Sequence, residues 1–406
     1  MTYKPSPTLQ AVLDGQLCCG CGGCAALAPN AVTMHISEDG YLRPVQSQPV
    51  PARFEERFSL ICPGVRVTQD PAGRFDHPLW GPLISMNQGH ATNPDMRRNG
   101  SSGGALSALL VHLLETGAVD GVVQVGADPL LPIGNKTVLS LNAAAVFANA
   151  GSRYAPSAPL EGIDTYLDST LRYAFVGKPC DVSTLRAMEA FDDRVAARFP
   201  YMLSFFCAGV PSLAGAREVL GQLGAPEDDV TSFRYRGDGW PGFATATLQD
   251  GTQRQMSYAD SWGGILSRHV QFRCKICPDG TGGFADVVCA DAWEADARGY
   301  PVFIEREGIS LIVSRTVKGL KLVQSAVAAG SLEISGFETE KLAAIQPGQT
   351  GKRRLVLARL AALKLTGRAL PRYRGFYLWR NARSAGLVAN MRNLLGTLRR
   401  IWLKKL

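Results

Sequence analysis

The sequence predicts a mixed protein, α/β and α+β, and three observations lead there. Between about residues 100 and 223, short apolar runs of strand length alternate with apolar-periodic helical stretches, the pattern of parallel strands joined by helices. From about 230 to 345, strand-like runs mix with Gly-rich loops, which marks an α+β region. The flanks differ from both: residues 1 to about 75 are rich in Cys, Gly and Pro and short on long periodic segments, and residues 351–406 are strongly basic. With 406 residues, 46% of them hydrophobic, the chain can form two or three domains and bury a core. A charged fraction of 19% and a mean hydropathy near zero exclude a disordered chain and a polytopic membrane protein.

In chain order, Asn99-Gly100-Ser101-Ser102-Gly103-Gly104 opens an apolar helix running to about Thr116, and Asp120–Val125 reads as a strand. Leu171–Val176 reads as a strand, Gly177–Cys180 as a turn and Asp181–Phe191 as a helix. Pro200–Phe206 is the next strand, ending at Cys207, and a helix follows from about Ser212 to Leu223. Phe243–Leu248, Asp286–Cys289 and Ile309–Val313 read as further strands. No repeat of fixed period is present. The most apolar stretch, Ala105–Val125, is interrupted by His112, Glu115 and Asp120, so no spanning helix is expected. Met1–Gln10 lacks the order of a secretory signal, which predicts a cytoplasmic protein with reduced thiols.

Charge is distributed unevenly. Residues 351–406 hold 15 of the 43 Lys+Arg and no Asp or Glu, which leaves the first 350 residues with 28 cations against 35 anions. A basic nucleic-acid-binding body is excluded by that sign; the basicity belongs to the C-terminal segment.

The ten cysteines carry the clearest chemistry. Cys18, Cys21 and Cys24 are spaced by two residues, with Cys62-Pro63 downstream as a fourth ligand, an arrangement that can wrap one face of a 4Fe-4S cubane. The interleaved glycines permit the turns such a wrap needs, and Cys19 is left as the spare. A zinc knuckle is the alternative. A second set is dispersed: Cys180 and Cys207 end predicted strands, and Cys274-Lys275-Ile276-Cys277 supplies a CxxC pair. If those strands are parallel neighbours, both thiols stand at the carboxyl edge of the sheet, where α/β proteins place ligands. Zinc, or lone buried thiols at Cys180 and Cys207, are the alternatives, and Cys289 reads as a buried thiol outside both sets. The Asn99–Gly104 loop lacks the spacing of a dinucleotide or phosphate-loop fingerprint; it is an anion site at a helix start or simply a cap. Gly177-Lys178-Pro179 lacks the hydroxyl of a phosphate loop, which excludes an ATPase.

The ordered motifs CxxCxxC, NGSSGG-ALSALLVHLLETGAVDGVV, GSRYAPS, FVGKPCD, FFCAGVPS, FRYRGDGWPG and RCKICPDGTGGFADVVCADAW cover roughly residues 15 to 345. In this order they resemble the coenzyme F420 hydrogenase/dehydrogenase beta-subunit family, which also includes 7-hydroxymethyl chlorophyll a reductase. The resemblance implies FAD and one or two 4Fe-4S clusters, with electrons relayed to a small redox substrate and an electron-donor protein or partner subunit. It implies flavin contacts from Asn99, Gly100, Ser101, Ser102, Gly103, Gly104, Ser152, Arg153 and Tyr154. Cys180, Cys207, Cys274 and Cys277 match the family's cluster positions, and Cys18, Cys21, Cys24 and Cys62 match an additional N-terminal cluster of some members. The implied organisation is a ferredoxin-like iron–sulfur segment (1–75), a flavin-contacting α/β region (76–165), an iron–sulfur, flavin and substrate domain (166–345) and a basic helical tail (346–406). Substrate identity does not follow from the resemblance. A non-catalytic electron-transfer subunit and a zinc-stapled binding module remain as alternatives.

Lys178 and Asp181, beside Cys180, are the candidates for catalytic proton transfer. Tyr235, Trp240, Tyr258 and Trp262 wall a planar acceptor or simply pack, and Arg234 and Arg236 grip an anion or line an exposed strand. In the tail, Leu387, Met391, Leu394, Leu395, Leu398, Ile401 and Trp402 share one arc of an ideal helix, with Arg400 and Lys404 opposite and Arg392 and Arg399 flanking. Such a helix either lies on the inner face of an anionic membrane or docks on protein.

Overall fold

Eight strands form the central sheet of the computed structural model, which describes residues 3–294, 296 and 302–403. In chain order they are β1 (Ser85–Ala91), β2 (Gly121–Asp128), β3 (Leu131–Ser140), β4 (Tyr173–Gly177), β5 (Tyr201–Phe205), β6 (Val287–Asp291), β7 (Ser310–Ser314) and β8 (Leu332–Gly336). Their spatial order is β8-β1-β7-β6-β5-β4-β2-β3. The centre, β2-β4-β5-β6, is parallel, and antiparallel strands close both sides. β4 and β7 are buried at every position, as central strands covered on both faces must be. Successive residues alternate between two cores: Val123, Phe175, Met202, Val288 and Leu311 face one side, while Val122, Ala174, Leu203, Val287 and Ile312 face the other.

Local rules set the helices that frame the site. α1 (Ala105–Glu115) starts where Gly103 and Gly104 turn left-handed, with φ of 76° and 71°. α2 (Pro179–Met188) opens with proline in its first turn, and Asp181 accepts the Lys178 backbone N–H at 2.9 Å. α3 (Leu213–Leu223) is capped by Ser212, whose hydroxyl accepts from Gly215 N, and stops at left-handed Gly224. A three-stranded antiparallel sheet, Val230–Arg234, Phe243–Leu248 and Gln253–Ser257, forms the α+β annex. Strand and helix positions thus follow the sequence reading closely.

Residues 76–165 and 166–345 both contribute to one sheet: β1–β3 come from the first segment and β4–β8 from the second. The N-terminal segment, which the sequence showed as short on periodic apolar stretches, has a hydrophobic core of Leu9, Val12, Phe54 and Phe58. That core is completed by Val356, Leu360 and Leu363 of α4 (Pro347–Leu365), so the start of the 346–406 tail belongs to the body. The short strand Arg372–Arg374 then pairs in parallel with Arg66–Thr68. Only α5 (Leu378–Ala385) and α6 (Leu387–Trp402) carry the exposed character expected of the whole tail; Lys404 lies outside the described residues. The dense cations of 351–374 obscured an apolar stripe that packs inward.

Candidate metal and cofactor site

Two groups of thiols and one cavity meet at the carboxyl ends of β4, β5 and β6. Cys18, Cys19, Cys21, Cys24 and Cys62 line one small pocket beneath α2, with Gly22 and Gly23 between them. Gly20 and Gly22 are left-handed, with φ of 79° and 86°, and a Cβ on Gly22 would stand 2.6 Å from Glu161 N. Glycine is therefore required for the chain to reverse between sulfurs against the body. Cys207, Cys274 and Cys277 stand together in the second group: the charges of Cys274 and Cys277 bear on Cys207, and that of Cys277 on Cys274. Among the described residues no three Cys, His, Asp or Glu side chains converge as ligands of a single ion; the first group lines a small pocket and Cys207 the main cavity.

Cys19 is not the spare that its spacing suggested. The thiols of Cys180 and Cys21 lie against it and hold it below the usual thiol range, so Cys19 links the two expected ligand sets. Burial pushes Cys18 up to about 11 and Cys207 up to about 12. The counter-charge available between the sets is Arg273, only 2% exposed, which donates to Pro63 O at 2.7 Å and lies 5.6 Å from the Tyr373 ring. Its charge favours the thiolate forms of Cys18, Cys19 and Cys62. Gln271 ties the sets mechanically, donating to Cys19 O at 3.2 Å and to Cys274 Sγ at 3.5 Å. Cys289 stands apart in β6, its thiol raised to about 12 by burial alone.

The cavity has a volume of about 280 Å³ and shares Cys207 with the second thiol group. Its walls include Gly100, Ser101, Ser102 and Gly104 at the start of α1, Ser152, Arg153 and Tyr154, and the pair Lys178 and Asp181. The expected residues Asn99 and Gly103 are outside this lining. Asn99 turns its amide to Asp95 O, and Gly103 is backed against Gly308 O, which a Cβ would approach to 2.8 Å. Ser101 accepts from Ser152 N, which locks the two loops together. Arg153 is a structural clamp: it donates to Asn135 Oδ1 and to the carbonyls of Pro132, Gly134 and Phe233. The first-turn N–H groups of α1, at Leu106 and Ser107, lack intrahelical acceptors and border the cavity.

A Gly104→Ala change tests this loop. The left-handed backbone costs an L-residue about 1–2 kcal/mol, and the new Cβ would stand 2.5 Å from Met96 O. A lower thermal midpoint is expected; an unchanged one would mean the loop is not held as described.

Lys178 Nζ is 2.8 Å from Asp181 Oδ2 and donates to Ser157 Oγ at 2.7 Å. Burial raises the Asp181 carboxyl to about 6 against the pull of Lys178, and its Oδ1 is buried without a partner. Opposite, Arg236 does not grip an outside anion. It forms a two-point pair with Asp291, at 2.9 and 2.7 Å, and lies over Tyr258 and Trp293 at 4.6 and 4.9 Å. Trp240 stacks on Trp293 and donates to Asp291 at 2.8 Å, while Tyr258 and Trp262 border the cavity. Tyr235 is core, donating to Ile133 O, and Arg234 donates to Asn99 O.

Two models of one family match the chain in tandem. The model of the N-terminal part of the coenzyme F420 hydrogenase/dehydrogenase beta subunit matches residues 86–163, and the model of its C terminus matches residues 170–340. The chain belongs to the coenzyme F420 hydrogenase/dehydrogenase beta-subunit family. It is 22% identical over 326 residues to the coenzyme F420-dependent sulfite reductase of Methanocaldococcus jannaschii, covering 77% of this chain and 46% of that protein. It is 24% identical over 265 residues to coenzyme F420 hydrogenase subunit beta of Methanococcus voltae, covering 62% of this chain and 84% of that one. The chain therefore spans about half the length of the sulfite reductase. A chain of the F420-reducing NiFe hydrogenase complex from Methanosarcina barkeri shares the fold, with a TM-score of 0.52 and 19% identity over 70% of this chain and 96% of that one. The family's two matched regions meet between residues 163 and 170, and both contribute strands to the one central sheet.

Beyond the matched regions, this family member recruits α4 to the site. Gln346 donates to Asp291 O, and Gln349 and Lys352 both donate to Cys207 O, at 2.9 and 3.0 Å. Sequence reasoning missed these residues. Polar side chains spaced by three ahead of an apolar helix were the available signal, and the charge of the segment drew the attention instead. Among the described residues no helix is long and apolar enough to cross a membrane.

Proposed function

We propose that the chain is an iron–sulfur flavoprotein oxidoreductase that relays electrons between 4Fe-4S clusters and FAD, to or from a small planar or unsaturated substrate of the coenzyme F420 type. The observation that carries this is the common wall: Cys207 borders the cavity and stands with Cys274 and Cys277. The donor chemistry fits, because both groups offer only sulfur, which suits iron–sulfur clusters, and the first group lines one small pocket. The cavity also fits a hydrogen-bonding ligand, since Gln349 Oε1 and Asp181 Oδ1 are buried at its wall without partners.

Cys18, Cys21, Cys24 and Cys62 would hold one cluster and Cys180, Cys207, Cys274 and Cys277 the other, with Cys19 between them. When bound, the clusters pass single electrons and a flavin accepts one or two. The chain's own contribution is positional. Gly100–Ser102, Gly104 and the Ser152–Tyr154 segment shape the flavin cavity, and the α1 N-terminus favours an anionic group there. Lys178 Nζ holds protons between Asp181 and Ser157 at the same wall. Tyr258, Trp262 and Trp293 exclude water from the opposite side.

Anaerobic purification with iron, sulfide, zinc and flavin analysis tests the reading. About eight iron atoms and one FAD per chain are expected for two clusters. About four iron atoms would remove one set, and stoichiometric zinc without iron or flavin would overturn the redox role in favour of a zinc-stapled binding module. The relatives' names favour a second reading, an electron-transfer subunit of a larger complex. Substrate oxidation by the purified chain with an artificial dye as acceptor would exclude that reading. The exposed C-terminal helices are the face through which the chain would meet a partner subunit or a bilayer.

A further inference from the structure

α6 is seated with its polar side inward. It meets α5 through Asn390, which donates to Ala382 O at 2.7 Å, and the body through Asn393, which accepts from Arg359 Nε at 3.3 Å, Thr397, the one α6 residue that is fully buried, and Ile401. Leu394 and Ile401 lean toward that seam and are half-buried. Leu398 is half-buried too, and the other apolar side chains of the arc face solvent: Leu387 is 78% exposed, Val388 74%, Met391 44%, Leu395 58% and Trp402 78%. These five lie within an arc of about 100° at 3.6 residues per turn. On the preceding helix Trp379 is 74% exposed. A helix that only had to dock on its own body would turn this arc inward, and large exposed apolar patches mark interaction sites.

The charges around the stripe indicate its occupant. Arg380, Arg383, Arg392, Arg399 and Arg400 are all exposed, and residues 351–406 contain no Asp or Glu. Arg392 and Arg399 fall on the flank of the stripe away from the body, where their stems can lie along apolar surface while the guanidinium groups reach headgroups. A second copy would bring the same cations face to face without an acidic complement. Tryptophan is favoured at the boundary of hydrocarbon and water. A basic helix with an exposed apolar stripe and no spanning length lies in that plane.

We propose that α5 and α6 hold the protein flat on an anionic lipid bilayer, with Leu387, Val388, Met391, Leu395 and Trp402 entering the headgroup–acyl boundary. This rests on the attachment role given above to the C-terminal helices and is independent of the redox reading.

Flotation of the full-length, cofactor-loaded chain with phosphatidylcholine vesicles, with and without phosphatidylglycerol, is the test. Binding is expected only to the anionic vesicles, weakening with salt and shifting tryptophan emission to the blue. Arg392→Gln with Arg399→Gln should weaken it about 25-fold, at about 1 kcal/mol per basic residue near the surface, and Leu395→Glu should abolish it. All three positions are exposed, so circular dichroism and iron content should match the parent protein, which separates failure here from failure of the redox reading. Absence of flotation would overturn the proposal, as would equal binding to neutral vesicles or by the Leu395→Glu variant. Concentration-dependent self-association abolished by Leu395→Glu, without vesicle binding, would assign the stripe to a second copy instead.

Discussion

A chain ending at Gln346 is expected to be insoluble or unfolded, whereas one ending at Gly386 is expected to stay soluble and lose only a few degrees of thermal midpoint. The difference lies in what the removed residues bury. Val356 and Leu363 are 0% exposed and Leu360 9%, all packed with Leu9, Val12, Phe54 and Phe58. At about 1.5–3 kcal/mol per buried aliphatic side chain, these three alone stabilise the fold on the order of 5–9 kcal/mol. That is comparable to the whole stability of a typical domain, about 5–15 kcal/mol. The shorter chain also loses Gln349 and Lys352 from Cys207 O, and Arg353 from the Pro278 carbonyl. By contrast, α6 buries only Thr397 completely. Soluble yield and a thermal scan of the two chains decide it. A soluble chain ending at Gln346 with the parent's midpoint would show that α4 is not part of the core.

Asp291→Asn is expected to destabilise the protein by about 3–5 kcal/mol, the usual consequence of stranding one member of a buried ion pair. Arg236 is 2% exposed, and its two-point contact with Asp291 is supplemented by one bond to Pro241 O at 2.8 Å. Burial opposes the guanidinium charge, and Asp291 more than offsets that, holding Arg236 above its ordinary pKa. With Asn in place, an amide N–H would face a guanidinium N–H, and Trp240 Nε1 would lose its charged acceptor. Because Arg236 props the rings of Tyr258 and Trp293 at the cavity wall, flavin retention should fall with stability. The double variant Asp291→Asn with Arg236→Met should recover much of the loss, since removing both charges removes the stranded one. Denaturant unfolding of the two single variants and the double variant measures this. A cost below about 1 kcal/mol for Asp291→Asn would mean that the Arg236 charge is balanced elsewhere.

Local patterns in the sequence carried much of the architecture. The strands at 121–128, 173–177, 201–205 and 243–248 and the helices at 105–115 and 213–223 lie where apolar period and capping residues placed them. Parallel pairing of β4 with β5, the condition for Cys180 and Cys207 to stand at one sheet edge, also followed from alternation of strand and helix. The family followed from motif order, because a series of motifs in sequence is a one-dimensional property that needs no contacts to be read.

What the sequence could not show were partnerships between distant residues. Cys19 looked superfluous by spacing, yet it meets Cys180, 161 positions away, and Cys21. Arg236 looked available to an anion until Asp291 arrived on another strand. The basic C-terminal segment looked like one appendage, and packing divided it: α4 and the Arg372–Arg374 strand joined the body, while α6 turned Thr397 inward and left Leu387, Leu395 and Trp402 outside. The sequence by itself determined the periodicity of each element, the grouping of thiols by motif and the sign of each segment's charge, since these depend on neighbours along the chain. The tertiary structure decided which apolar face is covered, which charge is paired and which thiols meet, because burial and electrostatics depend on distance through space.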